Sequence, residues 1–122
     1  MAKMLIVDDC EDNRAFCELI AHMFNIEVKL ASTVDDAFKI LEGGYVPRVI
    51  LLDLVMPGRP PEELVTHVKS NPEYRETKIV LTSALRELRV IAASMGADGA
   101  LKKPYNMPDF VDSFRRYSLV AG

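Results

Sequence analysis

The sequence has no tryptophan, only two cysteines and no long apolar run, and these absences exclude several classes of protein. No stretch approaches the roughly 20 apolar residues that a membrane-spanning helix needs. Cys10 and Cys17 have no second pair of cysteines or histidines at metal-ligand spacing, so we expect reduced thiols and neither a disulfide nor a zinc site. The net charge of −3 argues against direct binding of nucleic acid, which needs a basic surface.

The length and the N-terminal residues bound the organisation of the chain. With 122 residues, of which 49% are hydrophobic and 27% charged, the chain fits one globular domain, and we expect residues 1–122 to form it. The apolar N-terminal residues lead directly into Asp8 and Asp9 and are too few for a signal peptide. We therefore expect a cytoplasmic protein without membrane contact.

The aliphatic runs of the sequence predict five strands. The clearest covers residues 49–53, because four consecutive aliphatic residues before Asp53 are typical of a strand buried on both faces. Pro57 ends this region, since proline cannot donate a hydrogen bond to a neighbouring strand. Lys29, between two aliphatic residues, gives the second strand a polar face, which is expected at a sheet edge. The other strands are predicted at residues 4–7, 79–81 and 99–101, the last at the opposite edge.

Capping signals and helical periodicity follow each strand. Ser32 with Asp35 three residues later resembles a capping box for the second helix, and Asn106 with Asp109 predicts the start of the last helix. The alternation of strands and helices predicts a parallel sheet with helices on both faces, which is an α/β fold of five β-α units. The side chains expected to face the sheet are Phe16, Leu19, Ile20 and Met23 in the first helix, and Phe110 and Phe114 in the last.

The reactive residues of the sequence fall at the ends of four predicted strands. Asp8 and Asp9 follow the first strand, Asp53 ends the third, Thr82 follows the fourth, and Lys103 follows the fifth. The carboxyl ends of parallel strands meet at one edge of the sheet, where ligands of such folds bind. The sequence therefore predicts one site that contains three carboxylates, a hydroxyl and an ammonium group.

Three carboxylates at close range repel one another unless a cation lies among them, and oxygen ligands with water suit Mg²⁺. We expect Asp9 and Asp53 to be direct ligands, Asp8 to act through water, and the backbone carbonyl of Val55 to add a ligand. Lys103 supplies a fixed positive charge that can pair with Asp53 and then with a transferred phosphoryl oxygen. The predicted cofactor is Mg²⁺.

These motifs together resemble the receiver domain of bacterial two-component response regulators, of the kind found in chemotaxis regulators. The resemblance covers essentially the whole chain, and the motifs occur in the order that the family has. They are Leu-Ile-Val-Asp8-Asp9, Ile-Leu-Leu-Asp53 with Met56-Pro57, Val-Leu-Thr82-Ser83, and Lys103-Pro104-Tyr105.

The resemblance implies a fold and a role for each matched residue. The fold would be flavodoxin-like, a (βα)5 doubly wound sheet with strand order 2-1-3-4-5. Asp53 would accept a phosphoryl group from a histidine of a sensor kinase or a phosphotransfer protein, in a Mg²⁺-dependent reaction. Lys103 would stabilise the phosphorylated state and Thr82 would respond to it, and the Lys103–Pro104 peptide bond would be cis. Such a domain is a signalling module and not an enzyme, although it assists its own phosphorylation and dephosphorylation.

The implied partners are proteins. They are the phosphodonor and either a downstream target or a fused effector domain, and a homodimer through the fourth helix, fifth strand and fifth helix is a further expectation.

Three features depart from the family pattern. Pro60-Pro61 stands where the family usually has Asp-Gly, so the loop beside the site is expected to be stiffer. Ala100 stands where many members carry an aromatic residue whose rotamer follows phosphorylation. We therefore do not expect this chain to signal through an aromatic rotamer change at that position. The segment before Gly96 is one residue short, and this leaves Ser83 as the alternative to Thr82 for the hydroxyl switch.

Three rival functions differ in the residues that they require. A phosphohydrolase with an aspartate nucleophile needs a second acid two residues after Asp53, and Val55 stands there. A flavin-binding module needs a phosphate loop after the first strand, where the acidic run at Asp8 would repel phosphate. A receiver-like interaction module that does not switch stays open because of Ala100 and Pro60-Pro61.

Overall fold

The computed structural model describes residues 1–120 and shows the predicted alternation of strands and helices. The strands are β1 (Lys3–Val7), β2 (Glu27–Ala31), β3 (Val49–Asp53), β4 (Lys78–Ser83) and β5 (Gly99–Lys102). The helices are α1 (Glu11–Met23), α2 (Val34–Glu42), α3 (Pro61–Ser70), α4 (Leu88–Met95) and α5 (Met107–Arg116), and a short 3-10 helix covers Pro72–Tyr74. None of the helices in this part of the chain has both the length and the apolar character that crossing a membrane requires.

The five strands form one parallel sheet in the order β2-β1-β3-β4-β5. The predicted fold class and strand order are confirmed, and β2 and β5 lie at the edges as the sequence indicated. All five residues of β3 are buried, as expected for a strand with neighbours on both sides and helices above and below. The central position of β3 fixes Asp53 near the middle of the carboxyl edge.

Two hydrophobic cores lie on opposite faces of the sheet, because successive side chains of a strand point to opposite faces. One face, which we call the α1/α5 face, packs Ile6, Leu51 and Val80 against helices α1 and α5. The other, the α2/α3/α4 face, packs the alternate strand residues against those three helices. Phe110 and Phe114 of α5 are fully buried in the first core, as predicted.

The last helix begins as its sequence predicted, whereas the second begins one residue later. Asn106 accepts a hydrogen bond from the Asp109 backbone N–H at 2.9 Å, and the Asp109 carboxylate accepts one from the Asn106 N–H at 3.3 Å. The assignment of Ser32 as the cap of α2 was wrong. Thr33 is the cap and accepts from the Asp36 N–H at 3.0 Å, because this start places Val34 in the core.

The predicted buried stripe of α1 was partly wrong. Leu19 is 63% exposed and Met23 is 62% exposed, whereas Ile20 is buried as expected. The buried positions on this helix include Cys17 and Ala21, whose small side chains let the helix backbone approach the sheet. The helix is therefore rotated towards its small residues, and a count of large apolar side chains misjudged its orientation.

Arg59 anchors the loop between β3 and α3. Its guanidinium lies over the Phe38 ring at 3.8 Å from the ring centroid and makes ion pairs with Asp35 at 3.3 Å and Glu63 at 2.8 Å. Cation–π contacts of this kind add to the energy of an exposed ion pair. The loop that follows Asp53 is thus tied to both α2 and α3.

Candidate functional site

The carboxyl ends of four strands bring the predicted site residues together. In the register of the sheet, Asp53 on β3 lies directly beside Thr82 on β4. The backbone continues this pairing beyond the strands, since the Asp8 N–H donates to Ala31 and the Lys103 N–H donates to Ser83. The chain therefore stays ordered by sheet-like hydrogen bonds at the points where these side chains emerge.

The alternation of side chains decides which of them share a face. Four of the predicted site residues each lie two positions after a strand residue whose side chain packs in the α1/α5 core. Side chains two positions apart on a strand point to the same face, so all four side chains lie on the α1/α5 face. Ser83 follows Leu81 of the other core and lies on the opposite face, where its hydroxyl accepts a hydrogen bond from the Leu85 N–H at 3.0 Å. The four residues on the α1/α5 face are Asp8, Asp53, Thr82 and Lys103.

Lys103 bridges the two buried carboxylates of the site. Its Nζ lies 2.9 Å from Oδ2 of Asp8 and 3.1 Å from Oδ2 of Asp53. Asp8 is 2% exposed and Asp53 4% exposed, so neither charge is screened by bulk water. One ammonium group thus compensates two carboxylates, which leaves an excess of negative charge in the site.

Burial and the shared lysine shift the titration of these groups in a consistent way. Burial raises the pKa of Asp53, and its hydrogen bonds from Val55 N–H and Lys103 offset this only in part, while Asp8 raises it further. Burial opposes the charge of Lys103, but its hydrogen bonds to Asp8 and Asp53 outweigh that effect and raise the pKa of Lys103. Both shifts follow from the same geometry, in which one ammonium group serves two buried carboxylates.

Asp8 is held by groups that the sequence did not identify. Its Oδ1 accepts from the Cys10 N–H at 2.9 Å, and its Oδ2 accepts from Asn13 Nδ2 at 2.6 Å. The Arg14 guanidinium donates to the Asp8 backbone carbonyl at 2.7 Å. Asn13 and Arg14 lie near the start of α1, five and six residues after Asp8, and their position directly after the loop that carries Asp8 was the available signal for their approach.

Tyr105 also belongs to this group of contacts, although the sequence favoured a packing role. Its hydroxyl accepts from Asn13 Nδ2 at 2.8 Å and lies 3.3 Å from the Cys17 thiol. Burial raises the pKa of Tyr105 above its usual range and raises the pKa of Cys17 to about 11. Both groups therefore stay protonated at neutral pH, and Cys17 is a buried free thiol as predicted.

The carboxylates fit a hard divalent cation. Asp8, Asp9 and Asp53 each offer an oxygen, and these oxygens lie within 4.8 Å of one another. Asp9 is exposed whereas the other two are buried, so the cluster opens to solvent on one side. Oxygen donors with room for water match the preference of Mg²⁺. The Val55 N–H donates to Oδ1 of Asp53 at 3.0 Å, and a role for its carbonyl stays a prediction.

Two further predicted features lie beside the site. The Lys103–Pro104 peptide bond is cis. Ala100 is half-buried on the α2/α3/α4 face. An aromatic ring from outside the strand packs against β5. It belongs to Tyr117, which lies so close to Gly99 that a Cβ there would be 1.8 Å from the tyrosine oxygen. Ala100, Gly99 and Tyr117 line a common cavity of about 420 Å³.

The raised pKa of Asp53 predicts how Asp53→Asn changes stability with pH. The folded-state pKa lies above the unfolded value, so ionisation of Asp53 destabilises the fold. This cost is absent below the unfolded pKa and develops as the pH rises through the folded pKa. In EDTA, Asp53→Asn should therefore gain stability relative to the parent between about pH 4 and pH 7, a window set by the reference aspartate pKa.

Denaturant unfolding across that pH range measures the difference between the two proteins. Asp112→Asn is the matched control, because the Asp112 side chain is 75% exposed and its charge needs no compensation. A difference between Asp53→Asn and the parent that falls with rising pH would contradict the assigned direction of the pKa shift.

The flavodoxin-like sheet, with an acidic cluster and a paired lysine at its carboxyl edge, has the arrangement of a signalling domain. The sequence pattern described as "Response regulator receiver domain" matches residues 4–115. The chain belongs to the response regulator receiver domain family, which serves two-component signalling. Receiver domains bind Mg²⁺ at an acidic pocket, and the three clustered aspartates form such a pocket here.

Individual relatives agree with this assignment. The chain is 28% identical to the chemotaxis protein CheY of Halobacterium salinarum over 116 residues, which cover 93% of this chain and 94% of that protein. It is 26% identical to the probable transcriptional regulator ycf29 of Cyanophora paradoxa over 113 residues, 91% of this chain, and spans about half (53%) of that relative.

A solved structure shows the same similarity in three dimensions. The chemotaxis response regulator CheY4 of Vibrio cholerae superposes with a TM-score of 0.86 at 27% identity, over 96% of this chain and 98% of that one. The fold described above is therefore the fold of known receiver domains.

Proposed function

We propose that this receiver domain is a phosphorylation switch in which Asp53 is the phosphoacceptor. The observation that carries the proposal is the position of Asp53, a buried carboxylate with a raised pKa that lies 3.1 Å from Lys103 and within the aspartate cluster. An oxygen of Asp53 would attack the phosphorus of a phosphohistidine. A P–O bond forms, the P–N bond breaks, and its electron pair returns to the histidine nitrogen of the sensor kinase or phosphotransfer protein.

Asp9 and Asp53 would hold Mg²⁺ directly, with Asp8 acting through water and the Val55 carbonyl as a further ligand. When bound, the ion supplies positive charge to the oxygens of the phosphoryl group in flight. Asp9 is suited to this because it is the exposed member of the cluster.

Lys103 and Thr82 would then read the phosphorylated state. Phosphorylation replaces the Asp53 carboxylate by a group with more negative charge, and Lys103 is already within ion-pair distance of it. Thr82 is favoured over Ser83 as the hydroxyl switch because it lies beside Asp53 on the same face. The Ser83 hydroxyl lies on the opposite face and already accepts a hydrogen bond from the Leu85 N–H.

The phosphorylated domain would signal through contacts with other proteins or domains. Residues 1–122 would act as one receiver domain in the cytoplasm, on a downstream target or a fused effector domain, and a homodimer would use α4, β5 and α5. The second candidate is a receiver-like module that binds partners without switching. The observation that favours this candidate is Ala100, which has no aromatic ring to change rotamer.

Labelling with a small acyl phosphate tests the proposal. The parent, incubated with acetyl phosphate and Mg²⁺, should gain one acid-stable, base-labile phosphoryl group in its intact mass. Borohydride reduction followed by peptide mapping should place the label at Asp53. Asp53→Asn should gain no such group, and Asp112→Asn, which removes an exposed aspartate, should be labelled like the parent.

Two results would contradict the phosphoacceptor role. One is equal labelling of Asp53→Asn, and the other is a label that maps outside the peptide containing Asp53. If Asp53 is labelled but amide exchange in residues 82–90 is the same with and without the label, the non-switching module is the better description.

A further inference from the structure

The Asn13 side chain connects the acidic site to a group outside it. Its Nδ2 carries two hydrogens, of which one is donated to Oδ2 of Asp8 at 2.6 Å and the other to the Tyr105 hydroxyl at 2.8 Å. A rotated amide would point its carbonyl oxygen at the Asp8 carboxylate and would repel it. The two acceptors together therefore fix the orientation of the amide.

Tyr105 is itself held rigidly. Its ring stacks on Phe110 with centroids 5.9 Å apart and lies 6.4 Å from the ring of Phe16. Its hydroxyl has a second partner in the Cys17 thiol at 3.3 Å. Tyr105 thus presents an oxygen at a fixed position between helix α1 and the loop that carries Lys103.

We infer that Asn13 and Tyr105 are positioning residues for the acidic site, with the Tyr105 hydroxyl orienting the Asn13 amide and the amide orienting Asp8. The inference rests on the proposed function, because it concerns how well the aspartate cluster binds Mg²⁺. Groups that hydrogen-bond to metal-binding carboxylates fix their orientation, and their loss weakens metal binding.

The geometry explains why Asp8 needs this support. Lys103 also contacts Oδ2 of Asp8, at 2.9 Å, whereas the Cys10 N–H holds Oδ1, so without Asn13 the lysine would be the remaining partner of Oδ2 in the described part of the chain. Asp8 could then rotate towards Lys103 and away from Asp9. Asn13 opposes this rotation from the α1 side and keeps the three carboxylates within reach of one ion.

Calorimetric titration with Mg²⁺ alone measures the effect in the metal-free protein. Asn13→Ala should weaken Mg²⁺ binding roughly 10-fold, and Tyr105→Phe, which keeps the stacked ring, should weaken it by about 3-fold, at or below the low end of effects in outer coordination shells. The double variant should bind no more weakly than Asn13→Ala, because Tyr105 acts only through Asn13.

Tyr45→Phe is the matched control. The Tyr45 hydroxyl is buried and donates to the Met4 carbonyl at 2.9 Å, so its loss should lower the melting temperature without changing Mg²⁺ affinity. Unchanged affinity in Tyr105→Phe, additive losses in the double variant, or an equal loss in Tyr45→Phe would overturn the inference. Failure of the parent to bind Mg²⁺ would instead contradict the proposed function.

Discussion

Replacing Lys103 with methionine is expected to lower the free energy of unfolding of the metal-free protein by roughly 2–3 kcal/mol. Removal of one partner from a fully buried ion pair costs about 3–5 kcal/mol, because the remaining charge is buried without compensation. The Lys103 side chain is 25% exposed, which lowers the expected cost. The substitution leaves Asp8 and Asp53 facing each other with no cation between them.

Denaturant unfolding in EDTA at neutral pH measures this loss. Lys102→Met is the matched control, because Lys102 is the exposed neighbour and its removal should change stability by at most about 0.5 kcal/mol. Two additions should restore the stability of Lys103→Met. One is Mg²⁺, and the other is acid, which protonates the carboxylates. If the two lysine variants lose the same stability, the bridge between Asp8 and Asp53 does not carry the energy assigned to it.

Mg²⁺ is expected to stabilise the parent and to lose this effect in Asp9→Ala. The cluster forms only in the folded chain, so the ion binds the folded state and shifts unfolding by ~1.4 kcal/mol at ten times the dissociation constant. For a domain of this size the shift corresponds to roughly 3–8 °C in melting temperature. Asp9→Ala removes a proposed direct ligand and also relieves repulsion, so its metal-free melting temperature should equal or exceed that of the parent.

Melting curves with and without millimolar Mg²⁺ give both quantities. Asp12→Ala is the control, because Asp12 is an exposed acid in the first turn of α1 that lies outside the cluster. A shift of the same size in Asp9→Ala and in the parent would mean that the cluster does not hold the ion.

The site was predictable from the sequence because it follows from two simple regularities. Parallel strands end at one edge, and alternate residues share a face, so the positions of Asp8, Asp53, Thr82 and Lys103 along their strands were sufficient to place them together. The buried run of β3 also fixed its central position in the sheet. These features depend on local sequence and on topology, which apolar patterns specify well.

The support of the site was not predictable in the same way. The contact between Asn13 and Tyr105 joins residues far apart in the chain, and it depends on the rotation of α1 against the sheet. That rotation is set by the small residues Cys17 and Ala21, which let the helix approach, whereas the stripe of large side chains suggested a different face. Details of this kind follow from the packing of whole elements and not from any one segment.

The close approach of Tyr117 to Gly99 makes these two positions an interdependent pair. A Cβ at position 99 would overlap the Tyr117 hydroxyl, so a larger residue there requires the tyrosine side chain to move aside or a smaller residue to replace it. Among homologues the two positions are therefore expected to vary together. An aromatic residue grafted onto Ala100 would leave this pair unchanged, because Ala100 packs on the α2/α3/α4 face whereas Tyr117 packs on the α1/α5 face.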